Sequence, residues 1–342
     1  YTNHLVVNGV NIYYSRCLWR HKTFIITPSM ISLLRKNVDN FDIIHIHDCR
    51  SFQGISAYWF ARKWGIPYIL QPHGSYLPLL QDLSIKKIAR LTLDRSISWR
   101  IVKNALKVIA LNQVEAEQYR DMDVPEEKIA VIPNGIDLSE YTDLQPKGIF
   151  KKKFGIDDDK KIVLYLGRIH RTKSIDLLVK AYACLNKNTE FDDAVLVIAG
   201  PDDGYLVEVR SLVDSLGISK SVVFTGFIST TDKLNALVDA SVFVTPSFHG
   251  FPMTFLEACA TGTPIITTTL GDHLEWIDGN VGYVTFPNVS EMSEAMYRII
   301  YDDELREKLS RNCKKIVKSE FSLEKVVNRL EQVYKEVSGD KA

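Results

Sequence analysis

The sequence predicts an α/β chain built as two doubly wound domains. Short apolar runs of strand length alternate with helical segments along the chain, the pattern of parallel sheets with crossover helices. Its 342 residues suit two cores better than one. The loops richest in glycine, proline and cations fall where a strand hands over to a helix, the edge at which such sheets bind ligands.

The totals narrow the class. Hydrophobic residues make up 46% and charged residues 25% of the chain, ordinary values for a globular protein. Lysine plus arginine equals aspartate plus glutamate at 42 each, so no global field draws nucleic acid. The five cysteines, Cys17, Cys49, Cys184, Cys259 and Cys313, are scattered without a Cys-x-x-Cys pair. That argues against a disulfide framework or zinc site and for a reducing cytoplasm. No apolar run approaches the ~20 residues of a membrane-spanning helix. Gly-x-Gly-x-x-Gly and Gly-x-x-x-x-Gly-Lys-Ser/Thr are both absent, which disfavours dehydrogenases and P-loop enzymes.

The first domain is expected over 1–145. Residues 1–14 read as an extended pair turning at Asn8-Gly9, good hairpin chemistry. A helix is expected over 24–36, opened by Thr27-Pro28-Ser29, then a short buried strand over 42–48 in which His45 and His47 alternate with Ile44 and Ile46. An amphipathic helix over 52–64 ends at Gly65-Ile66-Pro67, and the strand that follows runs into Gln71-Pro72-His73-Gly74. Residues 83–102 carry Lys86, Lys87, Arg90, Arg95 and Arg100 among apolar residues. Such a segment can rest on an anionic membrane, or form helices whose apolar face is core. A strand over 105–111, a helix over 113–122 and a strand over 128–132 lead to Pro133-Asn134-Gly135-Ile136-Asp137, whose Asn-Gly step is turn chemistry.

The second domain is expected over 146–320, after a polar linker. A buried strand over 161–168 ends in Gly167-Arg168, and His170-Arg171-Thr172-Lys173 precedes a helix over 174–185. Strands over 195–200 and 222–227, with Gly226 near the end of the second, flank a helix over 205–216. A helix over 234–240 precedes the strand 241–245. Then come Pro246, Gly250 and Pro252, a helix to about Thr261 that Gly262 ends, and a strand over 264–269. A strand over 283–286 and helices over 290–302, 304–318 and 323–337 complete the chain.

The 247–264 stretch organises the rest. Its loop offers free backbone N–H groups and the positive end of a helix dipole, which suit a phosphate. Glu257, just over a turn inside the helix, can accept two hydrogen bonds from a ribose diol. The same residues also fit an ordinary crossover with an exposed glutamate.

Pro246-Ser247-Phe248-His249-Gly250-Phe251-Pro252, with Glu257 beyond it, resembles the Glu, seven residues, Glu motif of glycosyltransferase family 4, the retaining nucleotide-sugar transferases of the GT-B fold. The family's first Glu is His249 here. Gly167-Arg168, four residues, Lys173 matches the family's cation motif, and His73-Gly74, the 42–48 strand and Pro133-Asn134-Gly135 resemble further motifs. The resemblance covers essentially the whole chain. It implies two Rossmann-like domains facing a cleft, with the helix of 321–342 crossing back to the first domain. It implies that Arg168 and Lys173 neutralise the donor diphosphate as the leaving group forms, and that His73 faces the donor sugar. His249, Gly250, Phe251, Pro252, Met253, Thr254, Glu257, Gly226 and Asn134 would line the donor. A glycan or lipid-linked acceptor, no bound metal or other cofactor, and a place at the inner membrane face through 83–102 are also implied. The family's first strand, with its Gly-Gly loop, has no counterpart after Tyr1, so a βα unit upstream of Tyr1 is expected. Two other readings fit the same motifs: a non-catalytic nucleotide-sugar-binding subunit, given His249, and another GT-B activity such as sugar-nucleotide epimerisation.

Overall fold

The computed structural model describes residues 3–21, 24–74, 97–186, 193–248, 250–270 and 274–339. They form two compact units, one of Tyr1–Pro133 with Val327–Ala342 and one of Asn134–Val326. The division falls before the border expected at 145, because the turn Leu138–Tyr141 packs on the helix Met253–Thr261 of the second unit.

The first unit opens with an antiparallel hairpin, β1 (Asn3–Val7) and β2 (Val10–Tyr14). Asn8 and Gly9 have φ of 50° and 82°, the two positive values that a tight primed turn needs. A second antiparallel pair follows, β3 (Trp19–His21) and β4 (Phe24–Ile26). This corrects the helix expected from residue 24: Phe24-Ile25-Ile26 is β-favouring and finds a partner strand, and the residue before a proline avoids the helical region. The helix itself is Ser29–Asn37.

The main sheet of this unit is parallel, in the order β5 (Ile44–His47), β6 (Tyr68–Gln71), β7 (Lys107–Ala110) and β8 (Ile129–Val131). The helix Phe52–Trp64 between β5 and β6 starts where Ser51 Oγ accepts the Gly54 N–H and stops at left-handed Gly65. Ile46, Leu70, Val108 and Ala110 of the sheet pack with Ala57, Ala61, Ala116 and Tyr119 of the helices. The segment 83–102 lies mostly outside the described residues. At its described end Ile101 and Val102 are fully buried in the helix Trp99–Asn104, so there the apolar face is core.

The second unit is built on six parallel strands: β9 (Lys161–Leu166), β10 (Ala194–Ala199), β11 (Val222–Gly226), β12 (Ala240–Thr245), β13 (Ile265–Thr268) and β14 (Gly282–Thr285). Their order is β11-β10-β9-β12-β13-β14. The chain winds outward from β9 to β11, then returns to the other side of β9 as β12. Helices cover both faces, so the central strands are apolar throughout rather than alternating. The helix before β12 is Thr230–Asp239, longer than the 234–240 expected, because Ser229 caps it by accepting the Asp232 N–H. At its other end the buried Asp239 carboxylate accepts the Gly148 and Lys151 N–H groups at 2.6 and 3.0 Å, tying the linker helix Ile149–Phe154 to the domain. The Asn134-Gly135-Ile136 turn is fixed too. Ile136 exchanges backbone hydrogen bonds with Phe321 and Leu323, and a Cβ on Gly135 would lie 3.1 Å from Val326.

The strand ends come unusually close. The Gly167 N–H donates to Ala199 O at 3.0 Å, and the Gly200 N–H to Gly226 O at 2.8 Å. A Cβ on Gly200, whose φ is 147°, would sit 1.9 Å from the Gly167 carbonyl oxygen. That obstacle is backbone and cannot swing away. Gly200→Ala is therefore expected to destabilise the domain by about 2 kcal/mol or more. Urea denaturation checks this; an unchanged midpoint would contradict the close approach.

Candidate active site

The reversal of strand order between β9 and β12 opens a crevice beyond their carboxyl ends, the place where doubly wound sheets take ligands. Both loops expected to carry chemistry in this unit leave from those two strands. After β9, Tyr165 Oη donates to the Arg168 carbonyl at 2.9 Å and steadies the turn. His170 Nδ1 accepts the Thr172 N–H and closes the single turn Arg171–Lys173, and Ser174 at φ 51° releases the chain into the helix Ile175–Asn186. Arg168 is an exposed guanidinium paired with Asp203 at 2.5 Å. Arg171 pairs with Glu208 and lies over the Tyr205 ring, so it is held away from the crevice loop as a surface cation. Lys173 is different. It makes no ion pair among the described residues, and burial, with the Arg168 charge behind it, pulls its pKa below the ordinary lysine value.

After β12 the chain passes through Pro246 and Ser247 to Gly250, at φ 72°, and enters the helix Met253–Thr261. Pro252 is the residue before the helix rather than its first member, and no side chain caps it. The Phe255 N–H turns back to the Pro252 carbonyl at 3.1 Å, and a helix start leaves the N–H groups before it without an intrahelical partner. Phe251 is buried against Trp276 and Phe321, with ring centroids 6.3 and 5.6 Å away, so its ring is core and its backbone is what remains for a ligand. Met253 is exposed and Thr254 half-buried. His249 lies outside the described residues. Gly226, at φ 67°, has open space where a side chain would stand. Asn134 sits half-buried in the turn that braces residues 321–323.

Glu257 carries the clearest signal. Its Oε1 accepts from Lys233 Nζ at 2.6 Å, with the two side chains 14% and 28% exposed. Its Oε2 is buried and has no hydrogen-bond partner among the described residues. A buried carboxylate oxygen left bare is unfavourable, and it stands one turn from the uncapped helix start. Its charge, after burial itself, raises the pKa of the Tyr141 phenol.

The first unit gathers three histidines, His45 within β5, His47 at its carboxyl end and His73 just past the end of β6. His47 Nδ1 is 2.7 Å from His73 Nε2, and His45 stacks on His47 with centroids 4.2 Å apart while its Nδ1 meets Tyr334 Oη at 2.7 Å. His73 has φ 54°, strained for a residue with a side chain. The pKa of His45 is lowered to about 4, first by burial and then by His47 and His73. Burial also lowers those of His47 and His73, with Asp48 opposing it at His73. All three are neutral at physiological pH.

A family model described as Glycosyltransferase Family 4 matches residues 3–140, and one described as Glycosyl transferases group 1 matches residues 146–316. The chain belongs to glycosyltransferase family 4. An uncharacterised glycosyltransferase of Methanocaldococcus jannaschii is 28% identical over 344 residues, covering 96% of this chain and 85% of its own. The UDP-Gal:alpha-D-GlcNAc-diphosphoundecaprenol alpha-1,3-galactosyltransferase of Escherichia coli is 26% identical over 90% of this chain and 78% of its own. Among solved structures, Anabaena HepE in complex with UDP superposes with a TM-score of 0.71 at 17% identity, over 91% of this chain and 82% of its own. The fold is therefore GT-B, and the protein is a glycosyltransferase.

Lys233, Asp203 and Glu115 of this glycosyltransferase belong to no motif that the sequence displays. Lys233 and Asp203 sit 24 and 35 residues from the groups they pair with. Glu115 is nearly fully buried and binds the Gly74 N–H across 41 residues. Only the Asn112-x-x-Glu115 cap was a readable sign, since Asn112 Oδ1 accepts the Glu115 N–H.

Removing Lys233 leaves both oxygens of Glu257 without a cation. Lys233→Met is expected to lower stability by about 1–2 kcal/mol, read as a lower urea midpoint with unchanged slope. An unaffected midpoint would show that the pair is idle. The histidines set an acid limit. The unfolded chain takes a proton on His45 near the ordinary histidine value of 6.5, whereas the folded protein resists until about pH 4. Stability is thus present above 6.5 and lost as pH falls from 6.5 towards 4, flattening below. His45→Gln is expected to shrink that acid loss in a pH series of melting temperatures.

Proposed function

We propose that this glycosyltransferase moves a hexose from a nucleoside-diphosphate sugar to a hydroxyl of a glycan or lipid-linked acceptor, with retention at the anomeric carbon and without a metal ion. The observation that carries the reading is the buried Oε2 of Glu257, unpartnered among the described residues, one turn into a helix without a side-chain cap beside the β9–β12 switch point. A ribose hydroxyl donating to Oε2 would satisfy it, and the donor diphosphate would then lie towards the helix start and Lys173. The similar galactosyltransferase of E. coli, which by its name uses UDP-galactose and a diphosphoundecaprenol-linked acceptor, supports the donor class and one acceptor class.

In this reading the C1–O bond to the diphosphate breaks as charge develops on the leaving group. Lys173 neutralises that charge, and Arg168 joins it by exchanging Asp203 for phosphate oxygens. The acceptor oxygen bonds to C1 on the face the diphosphate leaves, and its proton passes to a phosphate oxygen of the departing nucleoside diphosphate. No carboxylate is assigned as a nucleophile, so no covalent sugar intermediate is invoked. His73 is assigned to the sugar end of the donor, where a neutral imidazole can give or take a hydrogen bond. These cations and the helix terminus supply the charge that a metal would otherwise supply. We place the activity at the cytoplasmic face of the membrane, where lipid-linked acceptors would be reached.

A panel of UDP- and GDP-sugars, with membrane extract as acceptor source, tests the proposal through release of nucleoside diphosphate. One donor is expected to give extract-dependent release that persists in EDTA, with an axial product linkage from an axial donor linkage by NMR. Lys173→Ala and Glu257→Ala should each lower turnover by about 100-fold or more, the scale of one transition-state charge contact. Donor binding without release, in every extract tried, would instead establish a non-catalytic binding subunit, and a changed sugar without free diphosphate an epimerase.

A further inference from the structure

The mechanism above uses His73 and leaves His45, His47 and the buried Glu115 without a role. Yet these groups converge on His73. Its Nε2 meets His47 Nδ1 at 2.7 Å, and the two rings lie edge to edge with their planes 16° apart and centroids at 5.0 Å, the arrangement of an in-plane hydrogen bond. Two ring nitrogens at that distance form a hydrogen bond only if one carries a proton and the other a lone pair. A neutral imidazole has a single N–H, so fixing the state of Nε2 also fixes that of Nδ1.

The backbone is held as firmly as the ring. His73 and Gly74 are consecutive left-handed residues, at φ 54° and 73°. The Gly74 N–H donates to Glu115 Oε1 at 2.9 Å. That carboxylate, 4% exposed, also accepts the Leu111 N–H at 2.7 Å and the Tyr119 hydroxyl at 2.6 Å. Its lone pairs are directed at donors from three segments, the turn after β6, the end of β7 and its own helix, which makes it a rigid anchor for a strained turn.

We infer that His47 and Glu115 are positioning residues for His73: Glu115 fixes the turn that carries the ring, and His47 fixes its tautomer, so that His73 keeps one dedicated nitrogen, Nδ1, for the ligand. The inference rests on the assignment of His73 to the donor sugar. The titratable groups that bear on the row are Asp48, which favours a proton on His73, and the neighbouring rings, which oppose one another's charge. Tyr334 meets His45 as a neutral hydroxyl, and Glu115 is occupied by its three donors. A proton on His73 would make both its nitrogens donors and erase the choice that His47 imposes.

The test combines long-range 1H–15N NMR of the imidazoles, assigned with His73→Ala, and kinetics with the donor found in the panel. Near neutral pH the wild type is expected to show His73 as one tautomer. His47→Ala should turn it into an averaged mixture and lower kcat about tenfold, the equivalent of one net hydrogen bond, with donor KM changed by less than about twofold. His47→Asn, which retains a donor and an acceptor, should restore much of both. The double variant His47→Ala/His73→Ala should be no slower than His73→Ala alone. Glu115→Gln, which keeps the shape but exchanges an acceptor for a donor, should move the Gly74 amide resonance. A mixed tautomer in the wild type, an unaltered one in His47→Ala or additive losses in the double variant overturns the role of His47. An unmoved Gly74 resonance overturns that of Glu115. If His73→Ala turns over normally while the His73 tautomer still answers to His47→Ala, the positioning stands and the sugar assignment falls.

Discussion

The second unit depends on how closely the carboxyl ends of β9, β10 and β11 approach one another. The Gly200 position, 1.9 Å from the Gly167 oxygen for any added Cβ, lets backbone lie against backbone. The hydrogen bonds from Gly167 to Ala199 and from Gly200 to Gly226 then level the strand ends. On that edge the order reverses between β9 and β12, and the loops bearing Lys173 and Glu257 leave from those two strands. Bulkier ends would splay the strands and move both loops. The placement of both loops is thus set by a packing constraint among glycines.

The two units share a way of fixing loops. A buried carboxylate accepts backbone N–H groups and so replaces a longer stretch of secondary structure. Asp239 holds the linker helix in this manner, and Glu115 holds the His73–Gly74 turn. Satisfied on every side, such groups stiffen the chain. Glu257 departs from the pattern, since one oxygen has Lys233 and the other has no partner among the described residues. The contrast separates a carboxylate whose acceptor capacity the fold uses from one with an oxygen to spare, which is what the proposed donor contact draws on.

Periodicity and punctuation made most elements legible in the sequence. The helix Phe52–Trp64 lies between Ser51 and Gly65 as those residues imply, and the Asn8-Gly9 hairpin turns where its dipeptide says. The motif residues Lys173, Gly250 and Glu257 lie at the carboxyl edge of the second sheet because the spacing from strand end to helix start is local information. Errors arose where a local pattern had two solutions. Phe24-Ile25-Ile26 fits a helix or a strand, and only the distant pairing with Trp19–His21 decides. Partners were not legible at all: Asp203 on Arg168, Lys233 on Glu257 and Tyr334 on His45 are set by tertiary folding over separations of up to 289 residues. Phe251 shows the same limit from the other side. Its motif implied a ligand contact, but its ring found Trp276 and Phe321.

His73 holds a backbone conformation that glycine adopts without strain and a ring-bearing residue does not. A chain selected for stability alone would place glycine there and fold more securely. Keeping the imidazole means that the protein forgoes part of its thermodynamic margin at one position. Stabilising consensus substitutions made blindly along this loop would therefore find their easiest gain at the residue whose ring meets His47.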